Sequence, residues 1–147
     1  MIKKNKTKEV EIFLQFLKNR RLSFTRQRKV IFEHIIKNHD HFEVKHIIEA
    51  LRKRKLRVSR ATVYRTLAHL EECRLIKKMD LGHGYSHFEH TFGYKHHEHL
   101  CCEKCGKIVE FVDSILEKRI KKILESNLFN KTNHNVRILG ICKNCQK

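Results

Sequence analysis

The chain has 147 residues and a mass of 17.7 kDa, with 33 Lys and Arg against 16 Asp and Glu, 12 histidines, six cysteines and no proline. That length holds one medium domain or two small ones, so small lobes helped by metal or by dimerisation are expected rather than two large independent cores. No run of eighteen apolar residues occurs, and the lysine-rich start from Met1 to Lys8 has no apolar stretch, which argues against a membrane span and a signal peptide and predicts a cytoplasmic protein. In a reducing compartment, six cysteines with four in two C-x-x-C pairs read as metal ligands or buried thiols rather than disulfides.

The charge is uneven. Residues 1–80 hold 22 Lys and Arg against nine Asp and Glu, whereas residues 81–147 hold 11 against seven. The first half is therefore the expected nucleic-acid half, although charge alone does not separate a DNA-binding protein from an RNA-binding or merely basic one. Periodicity narrows the choice.

In chain order, Val10, Phe13, Leu14 and Leu17 form an i, i+3, i+4, i+7 stripe, a short first helix. A second helix follows in "SFTRQRKVIFEHIIKN", with Thr25 as N-cap, Val30, Ile31 and Ile35 inward, and Asn38 as a stop. A third is read in "HFEVKHIIEALRKRK", where Val44, Ile47, Ile48 and Leu51 face inward and Arg52 to Lys55 suit the helix C-terminus. The fourth, "VSRATVYRTLAHLEECRLI", starts at Ser59 as N-cap; Val63, Leu67 and Leu70 face inward, leaving Arg60, Thr62, Tyr64, Arg65 and His69 outward. "IKKMDLGHGYSHFE" then reads as two short strands around Gly82 and Gly84. Helices followed by a hairpin match a winged helix-turn-helix. Arg65 is available to a guanine edge and Tyr64 to a thymine methyl, with Arg28 and Lys29 as phosphate contacts; an ordinary exposed basic helix face is the simpler alternative.

The second half turns on "HHEHLCCEKCGKIVEF". Cys102-x-x-Cys105 and Cys142-x-x-Cys145 supply four thiolates for a tetrahedral structural Zn2+ site, and Gly106 permits the tight turn of a knuckle. Cys101 and Cys73 read as packing residues. Strand alternation puts His97 and His99 on one side, His96 and Glu98 on the other. A hairpin pairing Cys102 with Lys107 sets His99 opposite Glu110, so His97, His99 and Glu110, with Glu89 and His41, form a nitrogen and oxygen set for a divalent transition metal. His96 and Glu98, completed by Glu117 and His134, form a possible accessory site. Ser114-x-x-Glu117 also reads as a capping box at the start of "SILEKRIKKILES", which would occupy Glu117 otherwise.

These segments together with "TNHNVRILGIC" resemble the ferric uptake regulator family over about Leu17 to Cys145. The resemblance implies an α+β chain: a winged-helix DNA-binding domain (1–87), a hinge (88–93) and a small α/β dimerisation domain with antiparallel strands (94–147). It implies a homodimeric, metal-dependent repressor of a palindromic operator, with structural zinc on Cys102, Cys105, Cys142 and Cys145. The regulatory metal falls on His41, Glu89, His97, His99 and Glu110, and an accessory metal on His96, Glu98, Glu117 and His134. Fe2+ is the expected regulatory ion, with Mn2+ or Zn2+ as alternatives, and peroxide sensing as the alternative signal. In the peroxide-sensing branch the resemblance implies aspartates where this chain has Glu89 and Glu110, and Asn where it has Arg65. Arg26 departs from the family's proline and adds a phosphate contact. A metal-dependent hydrolase, the rival from another class, leaves the basic helix unexplained.

Overall fold

The structure, a computed structural model, describes residues 2–37, 41–80 and 86–146, with side chains from residue 8 onward other than that of residue 80. Two compact units follow one another, Met1–Tyr94 and Lys95–Lys147. The predicted stop at Asn38 and the turn at Gly82 and Gly84 lie outside the described residues.

Unit 1 contains helices α1 (Ile2–Asn19), α2 (Arg26–Lys37), α3 (Val44–Lys53) and α4 (Arg60–Glu72), and a three-stranded antiparallel sheet of β1 (Phe42–Glu43), β2 (Ile76–Asp80) and β3 (Ser86–His90) in the order β1-β3-β2. Its core joins Phe13 and Leu17 of α1, Ile31, Phe32 and Ile35 of α2, Ile47 and Leu51 of α3, and Val63, Leu67 and Leu70 of α4. Phe13 stacks on Phe32 and meets the edge of Phe24, while Phe42 stacks on Phe88 beneath the sheet. The helix starts agree with the sequence. Thr25 Oγ1 accepts the Arg28 amide, and Ser59 Oγ accepts the Thr62 amide. The first helix is longer than its apolar stripe, and its buried Glu9 reaches across 81 residues to accept a 2.6 Å hydrogen bond from Nε2 of buried His90.

The helix ends share one device. Arg21, Lys55, Arg74 and Leu128 all take the left-handed conformation, with φ of 53°, 58°, 60° and 56°. The residue after each donates to a leucine carbonyl five positions back: Leu22 to Leu17, Leu56 to Leu51, Leu75 to Leu70, Phe129 to Leu124. These are Schellman closures with an apolar residue on both sides of the bond.

Unit 2 contains β4 (Glu98–Cys102), β5 (Ile108–Phe111), α5 (Ser114–Ser126), β6 (Arg137–Gly140) and a short 3-10 turn, Lys143–Cys145. β5 is antiparallel to β4, with His99 opposite Glu110, and Cys102 N–H donates to Lys107 O as the hairpin predicts. β6 instead runs parallel to β4, because α5 carries the chain back across the sheet, so the sheet is mixed where antiparallel strands were expected. Phe88, Glu89 and His90, expected in a connector, are strand residues of unit 1. None of the described helices is long and apolar enough to cross a membrane.

Candidate metal centres

The four knuckle cysteines come together in unit 2. Cys102 ends β4, Cys105 lies in the turn closed by Gly106 at φ 72°, and Cys142 and Cys145 flank the 3-10 turn after β6. Their sulfurs all lie within 4.8 Å of one another, and Cys105 Sγ to Cys142 Sγ is 3.7 Å. A tetrahedral zinc with Zn–S of about 2.3 Å requires sulfurs about 3.8 Å apart, so the cage fits that ion. Amide donors converge on Cys102, first that of Cys142 at 3.3 Å, and hold its thiol down to about 6, whereas hydrogen bonds with the neighbouring thiols of Cys105 and Cys142 push Cys145 up to about 12. One member is thus prepared as a thiolate. Cys101, 4% exposed, belongs to the buried side of β4, and Cys73 donates to Leu70 O at 3.4 Å; both pack as expected.

The second set also lies within unit 2. His96 Nε2 and His134 Nε2 are each 2.7 Å from the same oxygen of Glu98 and 2.9 Å from each other, and Glu117 Oε1 is 2.8 Å from His134 and 3.6 Å from His96. Two imidazole nitrogens facing one another and one carboxylate oxygen leave a single proton pattern little room to satisfy all contacts, while one cation at the shared point serves every donor. Burial alone would raise Glu98, but the Val136 amide on its other oxygen and the two imidazoles outweigh it and hold the carboxyl below its ordinary value. The capping alternative for Glu117 is corrected here. Asp113, one residue before the expected cap, accepts the amides of Ile115 and Leu116, so Glu117 is left to the histidines and to Lys131 at 3.4 Å.

The remaining donors occur as two groups, one on each unit. In unit 1, His41 precedes β1 and Glu89 sits in β3; the register Phe42 to Phe88 sets them side by side, with Nε2 4.0 Å from the carboxylate and Glu89 2% exposed. In unit 2, the rings of His97 and His99 lie 5.0 Å apart, and His97 Nε2 is 3.8 Å from Glu110. His97 Nδ1 donates to Lys95 O at 3.0 Å, which leaves Nε2 as the lone-pair nitrogen a metal needs. Sequence reasoning found the ligand types but not these supports, because the Lys95 carbonyl and the Val136 amide are backbone groups without a side-chain signature.

On α4, Arg60, Tyr64 and Arg65 are exposed, whereas Thr62 bonds Ser59 Oγ at 2.8 Å and so also serves the cap. On α2, Arg28 donates to the Ser23 carbonyl and Lys29 lies 3.9 Å from Glu33.

Residues 19–139 match the model of the Ferric uptake regulator family. A ferric uptake regulation protein of Legionella pneumophila is 42% identical over 110 residues, covering 75% of this chain and 79% of that protein. A peroxide-responsive repressor, PerR, of Staphylococcus epidermidis is 31% identical over 139 residues, covering 95% and 91%. The crystal structure of the Helicobacter pylori ferric uptake regulator Fur, described as having three functional metal-binding sites, matches with a TM-score of 0.85 at 25% identity over 96% of this chain and 93% of that one. With the basic winged helix-turn-helix and the cysteine, histidine and glutamate sets in place, the chain belongs to the ferric uptake regulator family of metal-dependent transcriptional repressors and is a regulator, not an enzyme.

Proposed function

We propose that this regulator responds to iron and represses metal-uptake genes, with Fe2+ as co-repressor held by His41, Glu89, His97, His99 and Glu110. Structural Zn2+ belongs to Cys102, Cys105, Cys142 and Cys145, and an accessory ion to His96, Glu98, Glu117 and His134. The observation that carries the regulatory reading is His97: its Nδ1–H is committed to Lys95 O, and its Nε2 stands 3.8 Å from a glutamate that it does not hydrogen-bond, a spacing suited to two ligands of one ion. A bound ferrous ion supplies one divalent centre for mixed nitrogen and oxygen donors.

The chain's own residues supply the rest. The β1–β3 ladder fixes His41 against Glu89, and β4 with β5 fixes His97, His99 and Glu110. Because two of the five donors belong to unit 1 and three to unit 2, any arrangement that withdraws one group loses affinity, and that difference biases the units toward one arrangement. Unit 1 then offers α4 to a major groove, with Arg65 and Tyr64 reading bases and Arg60, Thr62, Arg28 and Lys29 holding the backbone. A homodimer places two such helices on the halves of a palindromic operator. Its interface is supported by β6, all four residues of which are exposed, and by an apolar hollow of about 360 Å³ lined by Leu100, Val109, Ile138, Leu139 and Ile141. A protein that reads duplex DNA works where the genome lies, in the cytoplasm.

Operator binding with and without ferrous ion is the direct measurement, repeated with manganous and zinc ions. Tighter binding only with metal is expected; equal affinity in both states would sink the co-repressor reading. The likeness to PerR favours peroxide as the second reading. Against it stand glutamates at Glu89 and Glu110, whose longer side chains can chelate and fill the position that peroxide needs, and Arg65 on α4. Mass spectrometry after mild peroxide treatment of the iron-loaded protein separates the two: rapid gain of one oxygen at His41 or His97 would move the assignment to peroxide.

A further inference from the structure

The turn between α3 and α4 reads "RKRKLRVSR", six cations in nine residues, from Arg52 to Arg60. Arg52 and Lys53 end α3, where cations suit the helix terminus, but Lys55 and Arg57 lie beyond it and gain nothing from that dipole. Lys55 adopts φ 58°, and this left-handed residue folds the turn back, so that Arg52, Lys55 and Arg57 line one open hollow of about 810 Å³ with Leu56, Val58 and Ser59. All three cations are exposed. Among the described residues no carboxylate forms an ion pair with any basic residue from 52 to 57, although ion pairs occur on α2, on α5 and at the end of α1. A fold that gathers like charges into one concavity and leaves them unneutralised bears the repulsion in the free protein, and a polyanion relieves it. The hollow also borders Ser59, the N-cap of α4, where the first-turn amides of a 13-residue helix add positive potential.

We propose that this turn is a second DNA-backbone contact, in which Arg52, Lys55 and Arg57 take phosphates of duplex DNA flanking the bases that α4 reads. The proposal rests on the DNA-binding reading above. Duplex DNA is favoured over duplex RNA because the hollow abuts the leading end of an exposed helix, which fits the wide major groove of B-form DNA and not the narrow one of A-form RNA. Each phosphate contact releases condensed counterions, so the site has a thermodynamic signature that a solvated surface lacks.

The test uses the full-length, zinc-loaded and iron-loaded protein and a 30-base-pair DNA duplex of arbitrary sequence, with binding measured over a salt series. The variant R52Q/K55Q/R57Q is compared with K118Q/K121Q/K122Q, which removes the same charge from exposed positions of α5. Three lost contacts should lower the slope of log K against log salt by about 2.7, at about 0.9 per phosphate, and weaken binding more than tenfold at low salt. The free variant should melt no lower than wild type, since repulsion is removed and no packing is lost, and the α5 control should keep the wild-type slope. A slope unchanged in R52Q/K55Q/R57Q, or lowered equally in the control, overturns the proposal. So does a loss seen with an RNA duplex and not with DNA. Wild-type protein that binds no duplex would instead refute the DNA-binding reading itself.

Discussion

At the scale of single residues, chemistry that depends on ligand type and spacing was legible, and chemistry that depends on backbone was not. Two C-x-x-C pairs announce a zinc cage because no other common arrangement needs four thiols at that interval, and the sulfurs do converge. Asp113 shows the opposite. Ser114 fits a capping box on paper, yet the residue before it accepts two amides, and a one-residue shift in the cap frees Glu117 for the histidines. Cys101 and Cys102 are adjacent, but alternation along β4 gives them different surroundings, and the roles separate experimentally. Cys102→Ser is expected to reduce tightly bound zinc to well below one per chain and to abolish the dimer, because metal binding and folding are coupled. Cys101→Ser should keep its zinc and lose only about 1–3 kcal/mol of stability from placing a hydroxyl among apolar neighbours. Zinc content by elemental analysis, read beside sedimentation, decides; a stable Cys102→Ser dimer would show that the cage is not what holds unit 2 together.

Secondary-structure elements were readable at their beginnings and much less so at their ends. Thr25 and Ser59 mark two starts through side chains that cap, but a chain with five glycines and no proline lacks the residues that usually mark a stop. The four helices that close on Arg21, Lys55, Arg74 and Leu128 do so at positions where a side chain costs about 1–2 kcal/mol in the left-handed region. What compensates is the paired leucine or phenylalanine on either side of the closing bond. β1 was missed for another reason: two residues are too few to display a period of two, so His41 was tied to Glu89 through the family resemblance and not through a visible strand. Leu128 is the best place to test the helix ends because it is 93% exposed and has little packing to lose. Leu128→Gly should raise stability by about 0.5–1 kcal/mol, the relief at φ 56° less the added freedom of glycine in the unfolded chain. Denaturant titration is sufficient to measure it, and a loss of stability would mean that Leu128 makes contacts in the dimer.

For the whole molecule, the order of elements followed from periodicity, whereas strand partners separated by a helix did not. Nothing in "VRILG" says that β6 joins β4 in parallel; that follows from α5 returning the chain across the sheet. The same connection leaves β6 at a sheet edge with Ile138 50% and Leu139 43% exposed, and α5 adds Ile115 at 77%. An unpaired edge carrying apolar side chains is an aggregation hazard unless a second copy covers it. Ile138→Asp should therefore convert dimer to monomer at micromolar concentration while leaving the melting of unit 1 unchanged. Sedimentation equilibrium is the measurement, and a dimer of undiminished affinity would place the interface elsewhere.

The contact between Glu9 and His90 ties two distant parts of unit 1 into one cooperative piece. Both side chains are 2% exposed, and their 2.6 Å bond joins the first helix to the end of β3, the residue next to Glu89. Separating either partner would place a polar group in the core without this bond, so the two segments should open together rather than fray one at a time. In amide hydrogen exchange, the protons of α1 around Glu9 and those of β3 at Glu89 and His90 should then report a single opening free energy. A glutamate assigned to the regulatory ion thereby takes part of its steadiness from a helix that supplies no ligand, and changes at the front of the chain reach the sensor without touching it.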